Sequence, residues 1–237
     1  MTATEELAKV TLAHLRDPED RCARRLEKEH GNETGHRGST LRFAISNRLE
    51  QAALLAQATA ERPRAVHFPT PTDLPVESQR VFDAAVRWYL TVFGERTAVA
   101  LDEGDFVTAR PDLGVRLAGR VGLRFEGDAG PEVRILHYAG RDAVPTDVAR
   151  APEVRFALLR HADWARRHDG PILVTVADVL RGEATEARID APAALADCDE
   201  WLVERLARIR ARLVDPRPSP GTQCAWCPFI GSCPAFR

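Results

Sequence analysis

Cys224-Ala-Trp-Cys227-Pro-Phe-Ile-Gly-Ser-Cys233-Pro-Ala-Phe-Arg237 sets three thiols at Cys-x2-Cys-x5-Cys spacing, between prolines and behind the turn Pro220-Gly221. Prolines and tight turns keep such a segment out of a helix and let it wrap around one metal centre. Thiolate sulfur suits tetrahedral zinc or an iron-sulfur cluster, and both take four donors, so a fourth ligand is expected from a distant part of the chain. Two cysteines remain. Cys198 lies in Ala196-Asp197-Cys198-Asp199-Glu200, where two acids disfavour a thiolate, whereas Cys22 lies in Arg21-Cys22-Ala23-Arg24-Arg25, whose positive charge favours it. Cys22, Cys224, Cys227 and Cys233 are therefore the expected ligand set, which staples an early segment to the tail.

The bulk properties suit that reading. With 237 residues, 44% hydrophobic and 29% charged, the chain has enough apolar material for one substantial core and enough charge for a solvated surface. The start, Met1-Thr-Ala-Thr-Glu-Glu, carries neither a basic segment nor an apolar run, and no downstream stretch reaches the length of a membrane span, so a cytoplasmic location without a membrane partner is expected. Thiols stay reduced there, which favours metal or cluster ligation over disulfides. A net charge of -2 speaks against diffuse attraction to nucleic acid while leaving local basic surfaces available.

In chain order, one or two short helices are expected over 5–29, broken at Asp17-Pro18, followed by a helix over 39–61 in which Leu41, Ile45, Leu49, Ala52 and Ala56 recur at helical spacing. A proline-rich linker, Pro63 through Pro75, leads to a helix over 78–93 with Val81, Phe82, Ala85, Trp88, Tyr89 and Val92 as its buried stripe. The period then changes. Val115, Leu117, Val121, Leu123 and Phe125 alternate as one face of a strand whose other face carries Arg116, Arg120, Gly122 and Arg124. Gly127-Asp128-Ala129-Gly130 turns it into a returning strand, 132–138; a helix over 151–167, a strand over 172–177, a short strand near 187–189 and a last helix over 192–214 complete a mixed α/β order. That last helix places Arg205, Arg208 and Arg212 on one side as a candidate phosphate-binding stripe.

The early cysteine, the central hairpin and the tail together resemble the RecB-like, iron-sulfur-bearing branch of the PD-(D/E)XK nucleases, as in the AddB subunit and the CRISPR-adaptation nucleases. The resemblance spans most of the chain and is strongest in the tail; Leu117-Ala-Gly119-Arg120-Val121 leading to Leu136-His137-Tyr138-Ala139-Gly140-Arg141 is similar to the family's hairpin. It implies a restriction-endonuclease-like core, a mixed central sheet flanked by helices, with the cysteine tail attached: one nuclease-like domain over 1–237, with a helical part over 1–62 carrying Cys22, the sheet over 96–191 and the cluster-binding tail over 215–237. It also implies a four-iron four-sulfur cluster on Cys22, Cys224, Cys227 and Cys233, with zinc as the alternative.

The chemistry of that fold rests on carboxylate-held divalent metal, a histidine on an early helix and a lysine on the second hairpin strand. Here the pattern departs at each place. Gly122 stands where the first strand's aspartate belongs, His137 and Ala139 replace the second acid and the lysine, and Ser46 takes the place of the early histidine. A downstream glutamine-x3-tyrosine element maps to Arg155 and Leu159. The chain's lysines are Lys9 and Lys28, both far before the hairpin. Catalytic magnesium or manganese is therefore not expected. The resulting expectation is a non-catalytic, DNA-binding or scaffolding component in repair, recombination or defence, with Arg116, Arg120 and Arg124 on the former active face and DNA or a DNA-processing protein as partner. Two alternatives stand beside it: an active metal-dependent DNA exonuclease using the displaced acids Asp102, Glu103 and Asp105, and a redox-sensing iron-sulfur regulator.

Overall fold

The computed structural model describes residues 7–16, 22, 41–58, 62–101, 107–119, 121–136, 144–218, 220, 224, 227, 229 and 233–236. The chain forms two compact units, the first from 1–38, 105–120 and 196–237, the second from 39–104 and 121–195.

In the first unit, β1 (Ala8–Val10) runs parallel to β4 (Val115–Ala118), which pairs antiparallel with β3 (Val107–Arg110), giving the order β1-β4-β3. The helix expected from residue 5 is thus corrected at its start: Ala8, Lys9 and Val10 are matched to Val115, Arg116 and Leu117, and the helix α1 spans Leu12–Arg16 alone. Backbone pairing with β4 outweighs a weak local helical preference in so short a segment. The long helix α6 (Ala191–Leu213) belongs to this unit from Ala196 onward and buries Cys198, Trp201, Leu202, Leu206 and Ile209, an i, i+3, i+4 stripe. Arg110, at the end of β3, donates to both carboxylate oxygens of Asp112, at 3.0 and 2.7 Å, and to Asp199 of α6 at 2.6 Å. The Asp112 bond, opposed by partial burial and joined by Asp199, raises the guanidinium's pKa further above its ordinary value.

The second unit holds a five-stranded sheet of order β2-β5-β6-β7-β8. Its strands are β2 (Ala98–Ala100), β5 (Leu123–Gly127), β6 (Gly130–Ile135), β7 (Ile172–Asp178) and β8 (Glu183–Ile189). β5 and β6 form the antiparallel hairpin, β6 and β7 are parallel, and β7 returns antiparallel as β8, which begins four residues earlier than its expected core. The parallel step needs a crossover, supplied by α4 (Pro152–Arg160) and α5 (Ala162–Ala165). The single helix expected over 151–167 is divided at His161, whose φ of -110° and ψ of 23° leave the helical region. On the other face lie α2 (Leu41–Ala56) and α3 (Val76–Phe93). Ile45, Leu49, Ala53 and Ala56 pack with Phe82, Ala85, Tyr89, Phe93, Leu123, Phe125, Leu136 and Ala177 in one core. Val81, expected in the buried stripe of α3, is 41% exposed; the buried set 78, 82, 85, 86, 89, 93 follows the helical period one step away from it.

The largest correction concerns the supposed strand from Val115 to Phe125. It is two strands in different sheets, because Gly119 and Gly122 adopt φ of 119° and 76°, which interrupt the extended backbone between β4 and β5. Arg116 therefore belongs to the three-stranded sheet and Arg124 to the five-stranded one, so the arginines do not line one strand face; Arg120 lies outside the described residues. Among the described residues no helix is long and apolar enough to cross a membrane.

Candidate functional site at the entry to the hairpin

Side chains along β5 and β6 alternate between two environments. Leu123, Phe125, Glu132 and Arg134 face α2 and α3, where Leu123 and Phe125 join the core. Gly122 opens on the opposite face. A Cβ placed there would lie 3.0 Å from Val133 Cγ1, 3.1 Å from Ala157 Cβ of α4 and 3.5 Å from Ile135 Cγ1. The space next to this α-carbon is occupied by hydrocarbon from β6 and α4, and the left-handed φ adds strain for any residue with a Cβ.

His161, at the break between α4 and α5, is hydrogen-bonded through its ring to the backbone carbonyl of Gly122. Its Nε2 is buried without a hydrogen-bond partner. Burial, then the positive charges of Arg124 and Arg160, push the His161 pKa down to about 3, against the opposing pull of the Gly122 carbonyl. The imidazole is neutral at pH 7, and its surroundings oppose an added positive charge. On the same stretch of α4, one turn before Ala157, Glu153 is buried. Neither His161 nor Glu153 stood out in the sequence, because a lone His or Glu within an apolar helix carries no spacing that separates a site residue from a satisfied core residue.

Ser46 lies on α2, 1% exposed, with its hydroxyl buried and unpartnered. Its helix packs on the Leu123 face, whereas a side chain at position 122 would meet Val133 and Ala157. His137 and Ala139, and likewise Asp102, Glu103 and Asp105, lie outside the described residues. Of the residues matched to the glutamine-x3-tyrosine element, Arg155 is half-buried and Leu159 is part of the core.

Beneath α2 and α3 a polar network takes the place that apolar residues would otherwise fill. Arg134, fully buried, donates to Gln57 Oε1 at 2.6 Å, Tyr89 Oη at 2.8 Å and Glu132 Oε2 at 2.7 Å, and its guanidinium carbon sits 4.0 and 4.4 Å from the ring centres of Phe125 and Phe93. Glu132 also accepts from Arg96 at 2.6 Å, and Arg96 reaches Glu186, which accepts from Thr175 at 3.0 Å. Burial raises the Tyr89 pKa, opposed by Arg134, so the phenol stays protonated and donates to Gln57. Gln57 in turn bonds the carbonyls of Arg96 and Ala98 through its amide, which fixes the end of α2 on β2. The network is internally neutralised and joins helix to sheet.

In the first unit, Cys22 is buried, and Cys224, Cys227 and Cys233 are half-buried. The Cys227 amide donates to the Cys224 carbonyl at 3.1 Å. The donor types suit zinc or an iron-sulfur cluster. Among the described residues no three or more His, Cys, Asp or Glu side chains are gathered to hold a metal ion. Of the arginines on α6, Arg208 pairs with Glu204, Arg210 donates to the Leu113 carbonyl at 2.5 Å, and Arg205 and Arg212 are half-buried with engaged side chains.

A mixed sheet flanked by helices, entered by a hairpin whose first strand begins at the expected catalytic position, defines an α/β domain of the nuclease-like class. Residues 16–234 match the PD-(D/E)XK nuclease superfamily, and the chain belongs to that superfamily. A search of curated proteins gives no match.

Proposed function

We propose that this chain is a catalytically degenerate, RecB-like member of the superfamily that serves as a DNA-binding or scaffolding component in DNA repair, recombination or defence. The observation that carries the reading is Gly122: where the family's metal-binding aspartate belongs, a Cβ would lie 3.0 Å from Val133 and 3.1 Å from Ala157. The second unit also contains no lysine, since Lys9 and Lys28 both precede residue 39. Metal-assisted phosphodiester cleavage draws several kcal/mol from charge stabilisation by the ion, and neither glycine nor alanine replaces a carboxylate in holding it.

The Cys-x2-Cys-x5-Cys spacing, its position between prolines and the backbone hydrogen bond from Cys227 to Cys224 support a four-iron four-sulfur cluster on Cys22, Cys224, Cys227 and Cys233, with zinc as the competing occupant. When bound, the group would supply cross-linking of chain segments; no chemistry on DNA is assigned to it. Reduced thiols of this kind favour a reducing compartment, and a cytoplasmic location is part of the proposal.

Purified protein is tested with single- and double-stranded DNA in magnesium and in manganese. The reading expects no chelator-sensitive cleavage, together with binding that weakens as salt rises. Robust cleavage abolished by chelation overturns it. Iron, sulfide and zinc analysis with visible absorption decides the occupant of the cysteines, and Cys22→Ser should remove it as effectively as Cys227→Ser.

A further inference from the structure

No further inference is drawn: the strongest candidate, the side-chain cluster of Arg124, Arg160 and His161 around Gly122 on the α4 side of the five-stranded sheet, belongs to the site already described, and its charges are related to one another only through the depressed pKa of His161.

Discussion

Replacing Gly122 with alanine adds one methyl group where two hydrocarbon neighbours already stand at 3.0 and 3.1 Å and the backbone φ is 76°. A left-handed conformation costs a residue with a Cβ roughly 1–2 kcal/mol. Forcing a methyl into a filled site adds about 1–3 kcal/mol, reduced where Val133 rotates its side chain away. The expected loss is about 2–4 kcal/mol, which for a chain of this size lowers the midpoint of thermal unfolding by roughly 5–15 °C. Gly122→Asp carries the same steric cost plus that of a buried carboxylate, so restoring the family's residue should destabilise the second unit without restoring manganese-dependent cleavage. Urea unfolding of wild type, Gly122→Ala and Gly122→Asp measures the first expectation, and a DNA cleavage assay under folding conditions measures the second. An alanine variant within about 0.5 kcal/mol of wild type would show that the site is not filled; a cleaving aspartate variant would show that the metal cradle survives.

His161 makes stability depend on pH. Its folded pKa of about 3 lies below the ordinary value of 6.5, so the stabilisation is complete above 6.5 and is lost as pH falls toward 3. At pH 5 the loss is on the order of 2 kcal/mol, and urea melts at pH 7 and pH 5 should show it in wild type but not in His161→Gln. Arg134→Met leaves Glu132 buried with Arg96 as its remaining cation partner and should cost about 3–5 kcal/mol; pairing it with Glu132→Gln should recover part of that loss in a double-mutant cycle, and strict additivity would contradict the network. Ser46→Ala removes a buried hydroxyl without a hydrogen bond from the middle of a helix, so unfolding should show a gain of about 0.5–1 kcal/mol. A loss of similar size would mean that the hydroxyl is satisfied in solution.

Local pattern made much of the second unit legible. The helices around Leu49 and Phe82, the hairpin turned by Gly127 to Gly130 and the strand from Ile172 each carry a periodicity set by the repeat of the backbone itself. The same rule misread Val115 to Phe125. Alternation survives across a strand break, since Leu117 and Leu123 are both buried although they lie in different sheets. The β1 strand was hidden for a related reason: three residues carry too little pattern to announce a partner more than a hundred positions away.

Composition and motif alone established the thiol-rich tail, the confinement of lysine to positions 9 and 28 and the glycine at position 122, because each is a statement about which chemical groups the chain possesses. Tertiary structure alone decided what surrounds those groups. The contacts of Gly122 with Val133 and Ala157, the neutral His161 and the buried pairing of Arg134 with Glu132 depend on which distant segments meet, and packing and burial set their energies only after that meeting is settled.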